Sequence, residues 1–139
     1  MAHWEHFPHG SDIGIRGVGN SLSESFTMVA KALTALMVDP DKISSRQNIK
    51  EEISSDTLDL LLYDWINQLI YEAATKKMIF CQFDLRVTQD PPHLSAVLAG
   101  ETVDHTKHDP GVEVKGATFT ELKVEQSDHT WVCQCIVDV

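Results

Sequence analysis

Trp131-Val132-Cys133-Gln134-Cys135-Ile136-Val137-Asp138-Val139 closes the sequence, and apart from Gln134 and Asp138 it is apolar at odd and even positions alike. A strand with one face in water alternates in polarity. A strand apolar on both faces is covered on both and runs inside a sheet. This stretch is therefore expected to be a central strand, with the other elements built around it.

Working outward, Val112–Gly116 and Thr118–Gln126 read as extended segments after a tight turn at Pro110-Gly111. Ile79, Cys81, Phe83, Leu85 and Val87 alternate with Gln82, Asp84, Arg86 and Thr88, the pattern of a half-exposed strand. Asp90-Pro91-Pro92-His93 turns the chain into a further strand at Leu94–Thr102. Asn48–Ile53 alternates too, with Ile49, Glu51 and Ile53 on one face, and Trp4–Phe7 and Ile13–Val18 flank a turn at Pro8-His9-Gly10.

Between these lie two helical patterns. Ser21-Leu22-Ser23-Glu24 has the spacing of a capping box, in which the serine accepts from a free amide and the glutamate reaches back. Leu22, Phe26, Ala30, Leu33 and Met37 then recur at steps of four and three until Asp39-Pro40 ends the run. Ser55-Asp56 offers a second N-cap before the stripe Leu58, Leu61, Leu62, Trp65, Leu69 and Ala73, with Lys76 and Lys77 at the favourable end of the helix dipole. The expected fold is α+β: two amphipathic helices packed on a mostly antiparallel (mixed) β-sheet, in a single domain spanning residues 1–139.

Hydrophobic residues are 42% and charged residues 23% of the chain, values that suit a packed globular domain and not a disordered one. No apolar run approaches the roughly 20 residues of a membrane helix. His3, Glu5 and His6 stand where an export signal would carry a basic and then an apolar stretch, so a cytoplasmic location is expected. Cys81, Cys133 and Cys135 do not make a disulfide framework, and the last two read as small core hydrophobes. The net charge of −10 argues against direct nucleic-acid binding, which rests on Lys and Arg neutralising phosphates. It suits docking on a basic protein partner, and equally plain solubility.

Residues that carry chemistry are few. Asp12 follows His9-Gly10-Ser11 and precedes a strand, and Asp138 is polar in an otherwise apolar one. Oxygen donors at both ends of the chain suit a hard cation if the two ends meet. An Asx-turn at Asp12 and an exposed strand end at Asp138 are the plainer readings. Lys115, in the expected strand Val112–Gly116, either faces a phosphate or a carboxylate, or is simply solvated. His105 and His108 with Asp104 and Asp109, and the run His3, His6, His9, lack the fixed four-ligand spacing of a structural zinc site. No phosphate loop, dinucleotide fingerprint or nucleophile elbow is present.

At these residues the chain resembles the archease family. The matching pieces are His9-Gly10-Ser11-Asp12-Ile13-Gly14-Ile15 with Gly17 and Gly19, Ser21-Leu22-Ser23-Glu24-Ser25-Phe26, Leu61 through Tyr71, Gly100-Glu101, His108 through Lys115, Ala117-Thr118-Phe119 and the terminal Val137-Asp138-Val139. The resemblance implies a small cytosolic accessory protein of the GTP-dependent RNA ligase that seals tRNA exon halves, one that promotes guanylylation and repeated turnover without being a ligase. It further implies a divalent metal site, with Ca²⁺ expected and Mg²⁺ or Mn²⁺ as alternatives, held by Asp12, Asp138 and the Val139 carboxylate or carbonyl, and a functional lysine at Lys115. The family more often has His-Thr-Ala-Asp where this chain has His9-Gly10-Ser11-Asp12, and alanine where it has Gly116. Two other readings of the residues stand beside this one: a metal-dependent phosphoester hydrolase and a metal-independent adaptor.

Overall fold

A computed structural model describes residues 2–139. In chain order the elements are β1 (His3–His9), β2 (Asp12–Gly19), α1 (Leu22–Met37), β3 (Gln47–Ser54), α2 (Leu58–Thr75), β4 (Met78–Gln89), β5 (Pro92–Thr102), the short α3 (His105–His108), β6 (Gly116–Ala117), β7 (Lys123–Ser127) and β8 (Thr130–Asp138). The fold is α+β, as expected, and every strand pairing is antiparallel. The strands divide into two sheets, ordered β1-β2-β8-β6 with β7 also on β8, and β3-β5-β4.

β8 takes the central place its composition called for. It pairs with β2 along one edge and with β6 and β7 along the other, and Cys133, Cys135, Ile136 and Val137 are all buried. Helix α1 lies on β1, β2 and β8 and reaches β4 of the other sheet; α2 covers β3, β4 and β5 and reaches β6 and β7. The helices thereby weld both sheets to one continuous core that includes Ile15, Phe26, Leu33, Leu62, Trp65 and Leu98. Trp65 is fully buried, and its indole N–H donates to the Phe26 carbonyl at 3.1 Å, so even this large ring leaves no polar atom unpaired. Close packing of α1 on β2 depends on Gly17, where a Cβ would stand 2.3 Å from the Ser25 carbonyl oxygen.

The capping box of α1 forms. Ser21 Oγ accepts from Glu24 N at 3.0 Å, and the glutamate carboxylate reaches back one residue further, to Asn20 N at 2.7 Å. For α2 the cap is Thr57, not Ser55 or Asp56: Thr57 Oγ1 accepts from Leu60 N at 3.2 Å, while Ser55 donates to Asp64 at 2.7 Å. At the far end Lys76 pairs with Glu72 and Lys77 donates to the Ala74 carbonyl, so both cations sit at the dipole's negative pole.

Three strand expectations shift. The alternation read from Ile79 to Val87 changes face at a bulge between Phe80 and Gln82. Met78 and Phe80 before it, and Phe83, Leu85 and Val87 after it, join the main core, while Ile79 turns to a small cluster with Val38 and Ile43. Val112–Lys115 is not a strand, the extended segment expected at Thr118–Gln126 is a strand only from Lys123, after a turn, and His105–His108 forms one helical turn instead of a loop.

Candidate functional site

The first sheet brings its strand ends together. β2 and β8 pair with Ile13 opposite Val137, so Asp12 and Asp138 are the next residues outward on adjoining strands. β8 and β6 pair with Asp138 opposite Gly116, so Lys115 and Val139 are the next step along that pairing. Because β2 begins where β8 ends and β6 begins, the residues read from the sequence as Asp12, Lys115, Asp138 and Val139 gather at one end of one sheet. The backbone already joins two of them: Lys115 N donates to the Asp138 carbonyl at 2.8 Å.

The local sequence explains each placement. Ile13 and Val137 pack against the core, so their neighbours Asp12 and Asp138 turn to the opposite face of the pleat. Asp138 is exposed there and Asp12 half-buried. Asp12 is delivered by a two-residue hairpin turn, Gly10-Ser11, which pairs it with His9 of β1. Gly10 has φ +60°, the left-handed value that glycine supplies at the first position of such a turn. Beside this, Phe7 folds over Gly14, where a Cβ would stand 2.2 Å from its ring, and the Arg16 guanidinium lies 4.3 Å over the same ring.

Lys115 is exposed, at the end of a connection that is pinned along its length. Upstream, Gly111 N donates to Met37 O at 2.8 Å and Val112 N to Leu36 O at 3.0 Å, tying the connection to the end of α1. Val114 is buried in the main core. Downstream, Ala117 N donates to Asn67 Oδ1 of α2 at 2.9 Å, and Thr118 N donates to Ile136 O of β8 at 3.0 Å. An alanine at position 116 would fit: its Cβ would meet only Asn67 Oδ1, at 3.8 Å.

The chemistry available at this end is a set of hard oxygen donors facing solvent with one primary ammonium nearby. Carboxylates of this kind suit hard divalent cations that keep part of their water shell. Among the described residues no three His, Cys, Asp or Glu side chains form a metal-binding group.

A second polar network went unread in the sequence. Glu101, at the end of β5, is buried; it accepts from Ser44 N at 2.7 Å, Lys107 Nζ at 2.7 Å and His108 Nε2 at 3.0 Å, and pairs with Arg46 at 3.2 Å. Asp104 N donates to His108 Nδ1, so the ring proton sits on Nε2 and points at Glu101. The Lys107 ammonium, the Ser44 amide and His108 hold the Glu101 carboxyl down to about 2. This network ties α3 to the second sheet and so anchors the start of the connection that ends at Lys115. Its one sequence signal was a carboxylate closing an otherwise apolar strand. Asn67 was likewise unread as a functional residue; its signal was the stripe Asp59, Tyr63, Asn67, four residues apart on one side of α2.

Two antiparallel sheets welded by two helices, with acidic strand ends meeting beside a lysine, define a recognisable architecture. The same fold occurs in the solution structure of Methanobacterium thermoautotrophicum protein 1598, with a TM-score of 0.83 and 26% identity over 98% of each chain. It also occurs in a crystal structure of an archease, described as a possible chaperone, from Thermotoga maritima, with a TM-score of 0.58 and 16% identity over 97% of this chain and 96% of that one. Residues 4–139 match the model of the Archease protein family (MTH1598/TM1083). The archeases of Pyrococcus abyssi and Pyrococcus furiosus are 34% and 35% identical over the whole of both chains. The chain belongs to the archease family.

Proposed function

We propose that this chain is a metal-binding accessory protein of the GTP-dependent RNA ligase that joins tRNA exon halves. It promotes guanylylation and multiple turnover of the ligase, acts in the cytoplasm and is not itself a ligase. The observation that supports this reading is the meeting of Asp12, Asp138, Val139 and Lys115 at one end of the first sheet, in a chain of this family.

Asp12, Asp138 and an oxygen of Val139 would hold the cation, with Ca²⁺ favoured and Mg²⁺ or Mn²⁺ able to replace it; all are hard ions that take oxygen donors. Bound there, the cation would supply positive charge for phosphate oxygens. Lys115 presents a second positive charge on the same sheet end, suited to orienting a phosphate or a carboxylate of the partner. The net charge of −10 suits docking on a basic ligase and disfavours contact with the RNA itself.

The test is guanylylation of the RNA-splicing ligase from the same source, in GTP and Mn²⁺, with substoichiometric amounts of this protein. Stimulation is expected, and Asp12→Ala and Lys115→Ala are expected to abolish it. An active ligase that gains nothing from the protein would refute the reading. Calorimetric titration with Ca²⁺, Mg²⁺ and Mn²⁺ tests the cation separately: heat is expected for the native chain and none for Asp138→Ala.

A further inference from the structure

The candidate site depends on a strand of two residues, Gly116–Ala117, at the outer edge of the first sheet. So short a strand has little ladder of its own. On its inner side Lys115 N and Thr118 N donate to Asp138 O and Ile136 O of β8, at 2.8 and 3.0 Å. On its outer side the Ala117 N–H points to where a further strand would lie. No strand pairs there; Asn67 Oδ1 accepts that proton at 2.9 Å.

Asn67 is one of three side chains that hold this segment to α2. Asp59 Oδ1 accepts from Val124 N at 3.0 Å, the Tyr63 ring stacks on Phe119 with centroids 4.5 Å apart, and Asn67 takes Ala117. They stand at successive steps of four along the helix, so one helix face reads one stretch of chain in order. Asn67 is the member nearest Lys115. An amide carbonyl suits the position: it accepts from the edge donor without placing a further negative charge beside Asp138.

We infer that Asn67 is a positioning residue: its side-chain carbonyl closes the outer edge of β6 and so sets where Lys115 lies against Asp138. The placement stands on these contacts; its functional consequence rests on the role proposed above for Lys115. Without the acceptor, the Ala117 N–H must find water, and β6 frays from the rest of the sheet.

Amide hydrogen exchange by NMR on the whole chain, native, Asn67→Ala and Asn67→Asp, tests this, with ligase guanylylation measured alongside and Lys115→Ala as the control. In Asn67→Ala the amides of Lys115 and Thr118 are expected to exchange about tenfold faster, the effect of one lost hydrogen bond on local opening, while the β2–β8 ladder keeps its protection. Stimulation of the ligase should fall in the same variant. Asn67→Asp retains an acceptor and should restore the slow exchange. Unchanged exchange at Lys115 would overturn the inference. So would a uniform rise across the sheet, which is what a general structural role produces. Faster exchange with full stimulation, where Lys115→Ala abolishes it, would overturn the functional link. If Lys115→Ala also leaves stimulation intact, the proposed function falls on that result, and the exchange data alone decide the role of Asn67.

Discussion

Replacing Glu51 by glutamine should make this protein more stable, although Glu51 lies on the core-facing side of its strand. It sits between Ile49 and Ile53 on the half-buried face of β3, against α2. The side chain it meets there is Glu72, which is 1% exposed. Glu72 Oε1 accepts from Gln68 at 3.1 Å and from Lys76 at 3.3 Å, but the buried Oε2 has no hydrogen-bond partner. Burial first, then the charge of Glu72 and the hydrogen bond that a protonated Glu51 donates to it, raise the pKa of Glu51, against the pull of Lys76 and Gln68. When ionised, Glu51 offers the Glu72 carboxyl only another acceptor. The amide of Glu51→Gln offers it a donor of the same shape. Satisfying a buried carboxylate oxygen should contribute about 1–2 kcal/mol. For a chain of this length that corresponds to a rise in Tm of about 3–7 °C.

The pH dependence carries the sign. Because the folded state raises the pKa of Glu51, the native chain holds that proton more tightly than the unfolded chain does. The associated stability is fully present below the ordinary value of 4.5 and is lost as pH rises through the raised one. Thermal unfolding by circular dichroism at a series of pH values should therefore show native and variant chains alike at about pH 4 and below, and the variant ahead at pH 7. Glu51→Leu, which removes the repulsion but supplies no donor, should gain less than Glu51→Gln. A variant less stable than the native chain at pH 7, or an advantage as large at pH 4, would refute the reasoning.

Three other outcomes follow from the same structure. Glu101 is held down to about 2, so its contribution is present above the ordinary carboxylate value of 4.5 and is lost as pH falls from there toward 2; exchange protection of the Ser44 amide, which donates to Glu101, should fade in that window, and Glu101→Gln should weaken it at neutral pH. Gly100→Ala should cost about 3 kcal/mol or more in denaturant unfolding, since its Cβ would stand 1.8 Å from the Ile79 carbonyl oxygen, and backbone cannot rotate away. A thiol reagent applied to the folded chain should modify Cys81 alone, because Cys133 and Cys135 are fully buried and burial pushes the Cys135 thiol up to about 12; labelling of either without unfolding would contradict the packing.

What was legible before the structure was whatever a local pattern encodes. Two-faced apolarity marked β8 as central, because a strand exposes polar residues wherever water reaches it. The steps of three and four, with Ser21 and Glu24 ahead of them, marked α1, because capping and helix periodicity act within a few residues. Asp12 and Asp138 stood out because a charge at the end of an apolar strand needs a reason. The bulge near Phe80 was not legible, since alternation alone does not say where a pairing slips by one residue.

The tertiary structure decided which of these residues meet. Asp12 and Asp138 are neighbours because β2 and β8 pair antiparallel with Ile13 opposite Val137, a register set by contacts across the length of the chain. Lys115 joins them because β6 is clamped between β8 and Asn67, and no spacing along the sequence announces that clamp. Glu101 gathers Ser44, Arg46, Lys107 and His108 for the same reason. The chain by itself determined its two long helices and its central strand, through periods of two and 3.6 residues that act locally. Only the fold chose the partners of its polar side chains, because hydrogen bonds form where distant strands and helices bring donors and acceptors within about 3 Å.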